Sequence, residues 1–402
     1  MTVLPHIVAD FGSTGDAAGD CTAVPFMEIG STSTARFLWR FAHAGQDLAH
    51  EREVLVETTG GNRNATVFAP AGWPRGRPGW ILLHGITVPG RHHDALRRMA
   101  RSLSAAGHYA IAPEVAPWRE LRVDPGETLP AVHAGLAGLA ARTDADMNRI
   151  GLIGFSVAGR WAFSVAAREQ PRLKAVAAMG GYWDIERTLA AMVVGEHDWD
   201  GQRYRYDPDP YGRWIMGANL LPLLHGDRFG SEPDRTRAAE ALHLLVRTAG
   251  QNGAVARTSV YDSLNASLRE GLPATVRPVW DLLAPRSFEQ ADDRPTAREL
   301  ASLMAAAAVE RYPLLASAVG LDQLRLPLVL LHGRADRLIP FTESLRLAEH
   351  LPAAALRRVT ITRLFGHTRS REARPPRNPV ARAREFTEFA ATIQALLAAV
   401  EE

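Results

Sequence analysis

At 402 residues and 46% hydrophobic content, the chain can form one large domain with insertions, or two domains, around a substantial core. Its 46 basic and 44 acidic side chains leave a net charge of +2, and Lys174 is the one lysine; without a basic patch interleaved with aromatics, the pattern argues against a nucleic-acid partner. Cys21, the sole cysteine, excludes an intramolecular disulfide or a cysteine metal cluster, and no basic stretch with an apolar run or membrane-length apolar segment is present, so the expectation is a soluble cytoplasmic protein without stable membrane insertion.

In chain order, residues 1–33 are rich in Gly, Ser, Thr and Asp and read as a loose stretch. Phe37, Leu38, Phe41 and Leu48 give residues 34–51 helical periodicity, so that 1–50 form an N-terminal segment with a packing helix. Residues 53–58 and 64–69 alternate apolar and polar side chains around Gly60-Gly61, an antiparallel hairpin at a sheet edge. The continuous apolar run 80–83 is a strand buried on both faces, ending at His84-Gly85. A helix over 94–106 follows His92-His93, two adjacent histidines that point in different directions and therefore read as surface or pocket-rim residues, not as a metal pair. Next come a strand at 108–113, a loop whose Trp118 is a candidate pocket wall, a helix at 129–142, a strand at 149–154, a helix to about 169 and a strand at 173–179. Strand and helix alternate with short connections, the signature of parallel crossovers.

The alternation stops between 180 and 323, where helix-like stretches at 186–194, 213–224, 235–249, 261–270 and 298–312 suggest a helical cap over residues 181–323. Its aromatic-rich start offers Tyr182 and Trp183 as candidate substrate contacts, while the Asp207–Pro210 run reads as a turn that needs no metal. The sheet resumes with an apolar run at 326–331, followed by a helix at 341–350, a strand at 357–364 and a closing amphipathic helix at 380–400. The core would thus comprise residues 51–180 and 324–402.

Chemistry concentrates at the strand ends. Ser156 sits in Gly-Phe-Ser-Val-Ala-Gly, a tight strand-to-helix turn in which Gly154 and Ala158 keep the crowded positions small. Such a turn raises the serine oxygen above the sheet and leaves the first helical amides, Val157 foremost, facing any oxyanion formed there. This stretch resembles the nucleophile elbow of the α/β-hydrolase superfamily, with alanine in place of the second glycine of Gly-x-Ser-x-Gly. Three further stretches resemble the same superfamily in its chain order: His84-Gly85, the Gly333–Asp336 turn before Ile339-Pro340, and Gly366-His367. The run before the first His-Gly looks like the dienelactone-hydrolase and peptidase-like branches, although serine replaces the cysteine of the former.

The resemblance implies an α/β-hydrolase fold: a mostly parallel sheet flanked by helices, with a large helical cap insertion. It implies a catalytic triad of Ser156, Asp336 and His367, and an oxyanion hole formed by Val157 and Ile86, with Thr87 as the alternative second donor. No cofactor or metal is expected. The expected activity is serine-dependent cleavage of a small-molecule carboxylic ester; a thioester, lactone or peptide bond suits the same machinery, and a non-catalytic binding protein on this fold is the rival reading. Oligomeric state stays open.

Overall fold

The computed structural model describes residues 31–43, 50–253, 256–287, 293–316, 321–364, 366 and 375–401. The chain begins with α1 (Thr32–Ala42), β1 (His50–Val56), β2 (Arg63–Ala69), β3 (Arg77–Leu83), α2 (Asp94–Ala105), β4 (Tyr109–Pro113), the short α3 (Ala116–Arg119), α4 (Thr128–Arg142), β5 (Ala145–Phe155), α5 (Val157–Arg168) and β6 (Ala175–Met179). An insertion follows, with α6 (Ile185–Val194), β7 (Glu196–Trp199), β8 (Gln202–Arg205), α7 (Pro210–Leu220), α8 (Glu232–Asn252), α9 (Asp262–Glu270), α10 (Arg277–Leu283) and α11 (Arg294–Arg311). The sheet resumes as β9 (Leu328–Gly333), α12 (Phe341–His350) and β10 (Leu356–Thr362), and α13 (Pro379–Ala398) closes the fold.

Eight strands form one sheet in the order β1-β2-β4-β3-β5-β6-β9-β10. β2 runs antiparallel to both β1 and β4, and from β4 to β10 every pairing is parallel. The continuous apolar run in β3 follows from burial on both faces: Trp80 and Leu82 enter a core shared with α1, α2 and α13, whereas Ile81 and Leu83 enter one shared with α4, α5 and the insertion. After β3 the chain steps to β4 on one side, then to β5 on the other. The strand order therefore reverses between the carboxyl ends of β3 and β5, where an open α/β sheet presents a crevice.

Several sequence expectations need correction. The first helix stops at Ala42, and His50 and Glu51 already belong to β1, paired with Ala69 and Phe68. The loose stretch expected at 1–33 lies outside the described residues up to residue 30. The insertion is not purely helical: β7 and β8 form a hairpin across Asp200-Gly201, both at positive φ (48° and 73°), as a two-residue turn of mirror-image type requires. α10 was also not expected. In the Asp207–Pro210 run, Asp209 caps α7 by accepting the Tyr211 N–H at 2.9 Å, and Pro210 occupies the first helical turn, where its missing N–H costs nothing. No described helix is long and apolar enough to cross a membrane.

Candidate active site

β5 delivers Ser156 to the crevice in a backbone conformation that ordinary residues avoid, with φ 58° and ψ −134°. Such geometry costs about 1–3 kcal/mol and persists only where its surroundings enforce it. Here the Ser156 N–H donates to Met179 O and the Gly159 N–H donates to Ser156 O, each at 2.9 Å. The small neighbours are obligatory: a Cβ on Gly154 would lie 2.4 Å from Ala158 O, and one on Gly159 would lie 2.9 Å from the Ala178 Cβ. α5 starts at Val157, so its first amides are presented beside the serine oxygen.

The exit of β3 passes directly against this turn. A Cβ on Gly85 would stand 3.0 Å from the Ser156 Cβ, which is why the chain has glycine there. His84 is buried and fixes the turn from below: Nε2 accepts the Val115 N–H at 3.1 Å, so Nδ1 carries the hydrogen and donates to Gly85 O at 2.7 Å. Burial pushes its pKa down to about 4, and the ring is neutral at ordinary pH. Ile86 and Thr87 emerge from this turn and line one cavity together with Ser156 and Val157.

The exit of β9 supplies a buried carboxylate. Asp336 Oδ1 accepts the Leu338 and Ile339 N–H groups at 2.8 and 3.0 Å, and Oδ2 lies 3.1 Å from His332 Nε2. His332 is itself fully buried, with Nε2 also 3.0 Å from Ile339 O and Nδ1 2.7 Å from Ser344 Oγ. Both partners of Nε2 are acceptors, so that nitrogen carries a hydrogen, and the Ser344 hydroxyl beside Nδ1 donates to Gly181 O at 3.4 Å. Leu338 and Ile339 turn from this loop into the cavity wall beside Ser156. Asp209, at the head of α7, donates its N–H to Arg337 O at 2.9 Å, tying the insertion to the same turn. His367 lies outside the described residues.

The three aromatics expected at the substrate do not line this cavity. Trp118 is fully buried, donating Nε1–H to Asp124 O at 2.7 Å and packing against His84 and Trp161, because a buried indole needs both a partner and a floor. Tyr182 is buried with its hydroxyl accepting the Trp161 Nε1–H at 3.1 Å, and burial pushes its pKa up to about 12. Trp183 stacks on His350 with ring centroids 4.0 Å apart, on the α12 side of the insertion.

Other residues take their place. Met192 of α6, Tyr211, Ile215 and Met216 of α7, and His93 line the cavity, which is partly open to solvent. The available signal was the pattern of α7: Trp214 packs edge-on against Tyr261 within the insertion, while Tyr211 and Ile215, four apart, share a face that lines the cavity. Burial pushes the Tyr211 hydroxyl up to about 12, next to Thr87 and Val88, although it makes no hydrogen bond of good geometry. His93 caps α2 by accepting the Ala95 N–H at 3.3 Å.

Strand order, the switch point and the strained serine turn together define the architecture. The chain has the α/β-hydrolase fold. No protein-family model and no curated protein matches the chain. Solved structures similar to it include the acylaminoacyl peptidase of Pyrococcus horikoshii (12% identity, TM-score 0.44, 88% of this chain and 42% of that one). Est1E from Butyrivibrio proteoclasticus is similar at 10% identity and TM-score 0.43, over 86% of this chain and 98% of that one. A puromycin-hydrolyzing peptidase of Mycobacterium tuberculosis is similar at 16% identity and TM-score 0.46, over 87% and 40%. The chain spans about two fifths of the length of these two peptidases.

Proposed function

We infer that this α/β-hydrolase-fold chain is a serine hydrolase that cleaves a carboxylic ester through an acyl-enzyme. The observation carrying the reading is Ser156 itself: a serine at φ 58°, at the sheet's switch point, opening into a cavity also lined by Val157 and Ile86. A helix N-cap serine would sit in extended backbone with its side chain accepting an amide hydrogen; Ser156 does neither.

In this reading His367 takes the Ser156 proton as Oγ bonds to the carbonyl carbon. The Val157 and Ile86 amides hold the oxyanion, and the C–O bond to the alcohol breaks as that proton passes to the leaving oxygen. Water then adds to the acyl-enzyme, losing a proton to His367, and the acid leaves as Ser156 is reprotonated. Asp336 orients the imidazole and stabilises its charged form. The two amides fixed on Oδ1 support this role, since they hold the carboxyl group in one orientation.

The test is labelling by a fluorophosphonate with intact-mass detection. The wild-type protein should gain one adduct, Ser156→Ala none, and turnover of any ester found should fall by about 10⁶ in that variant. Full activity in Ser156→Ala removes the reading, and undiminished activity in His367→Ala moves the base elsewhere.

A further inference from the structure

The cavity restricts what Ser156 can be given. Among the described residues lining it there is no Asp, Glu, Lys or Arg. Its polar side chains are Ser156, Thr87, Tyr211, the neutral His84, and His93 at the head of α2. The sheet side contributes Leu96, Phe155 and Leu338, and the insertion contributes Met192, Ile215 and Met216. A carboxylate or ammonium placed among them would lose hydration without gaining an ion partner from the described lining.

Size narrows the choice further. The cavity measures about 80 Å³. An apolar cavity of about 150 Å³ takes benzene, or roughly 25 Å³ per heavy atom. By that scale the space beside Ser156 takes about three or four heavy atoms, the carbons of a short acyl chain whose oxygen is held apart by the Val157 and Ile86 amides. We propose that the site takes esters of short, uncharged acyl groups, acetyl to butyryl, with Met192, Ile215 and Met216 setting the length limit. This rests on Ser156 being the nucleophile.

Longer chains would have to displace the side chains that line the cavity, and each misfitting methylene in a well-formed pocket is worth roughly tenfold or more in kcat/KM. The experiment measures kcat/KM for the p-nitrophenyl esters from acetate to dodecanoate, and for the mono-p-nitrophenyl ester of succinic acid, whose far end is a carboxylate. Butyrate should exceed octanoate by at least tenfold and the succinate ester by at least a hundredfold. Met216→Ala and Ile215→Ala, each removing three heavy atoms from the wall, should raise the octanoate-to-butyrate ratio at least tenfold. That ratio is independent of how much of a variant is correctly folded, and Met192→Ala provides the same reading from α6.

Octanoate turned over as well as butyrate, or the succinate ester as well as butyrate, overturns the proposal while leaving Ser156 in place. So does fluorophosphonate labelling of Ser156 with no turnover of any short ester. Loss of labelling altogether, or labelling that survives Ser156→Ala, overturns the nucleophile assignment and this inference with it.

Discussion

The carboxylate of Asp336 is held at both oxygens, and the group on Oδ2 is an imidazole buried within the sheet. His332 spends its Nε2 hydrogen on two acceptors at once, Asp336 Oδ2 and Ile339 O, and so ties the start and the end of the acid turn to β9. A residue that only filled space there would leave the turn's geometry to the two backbone amides. His332→Phe removes the donor that Nε2 supplies to Asp336 and to Ile339 O, and a buried acceptor left without its donor costs about 1–3 kcal/mol of stability. The expected functional effect is a fall in kcat of about ten- to a hundredfold with KM nearly unchanged, because the defect lies in the orientation of the acid and not in the pocket wall. His332→Gln keeps an N–H donor at comparable reach and should recover most of that loss. If His332→Phe and His332→Gln lose equal activity, or if the loss falls on KM, the positioning role is wrong.

Between the elements, the insertion meets the β3 exit at a glycine in α8. A Cβ on Gly250 would lie 2.6 Å from Val88 Cγ2 and 3.1 Å from the Tyr211 hydroxyl. Helical glycine ordinarily costs about 1 kcal/mol relative to alanine, so this position keeps a poor helix former for the sake of the contact. Gly250→Leu improves helix propensity yet drives a side chain into the stiff β-branched Val88, one residue beyond Thr87. We expect at least a tenfold loss of kcat/KM with the circular dichroism spectrum unchanged, and no loss in the neighbouring exposed control Gln251→Ala; equal activities would detach α8 from the site. The same seam marks where the sequence stops being legible. The strand ends were readable because the final residues of β3, β5 and β9 are apolar on both faces, and because neighbours crowd Gly85 and Gly154 too closely for a side chain. The insertion was not, since its helices bury one face against each other and another against the cavity, and a single sequence does not say which is which. Trp118, Tyr182 and Trp183 illustrate this: each sits near a strand end, but hydrogen bonds take the Trp118 indole and the Tyr182 phenol into the supporting layer, and Trp183 stacks on His350. The Asp200-Gly201 dipeptide did carry a hairpin signal, masked by the helical expectation around it.

For the molecule as a whole, the buried histidines set the response to acid. His84 at the end of β3 and His108 before β4 are both buried, and burial pushes their pKa values down to about 4 and about 3. His108 Nδ1 accepts the Trp80 Nε1–H at 3.1 Å, which fixes a neutral ring inside the sheet. In the unfolded chain both rings titrate near 6.5, so below that pH the unfolded state binds protons that the native state refuses. Their contribution is therefore complete above about pH 6.5 and is lost as pH falls toward the folded values. By pH 5 each histidine should cost about 2 kcal/mol, or about 4 kcal/mol together. His197, at about 4, acts in the same direction, whereas Glu114 and Glu343, whose carboxyl pKa values burial raises, act in the opposite one. Urea unfolding at pH 7.5 and pH 5.0 should show a loss of several kcal/mol in the wild-type protein. His108→Gln lies outside the site and keeps an acceptor for Trp80, so it should lower stability at pH 7.5 by less than it reduces the pH dependence. A variant with an undiminished pH dependence would mean that His108 is protonated in the folded protein, and the tight packing of β3 against the start of β4 would then need another account.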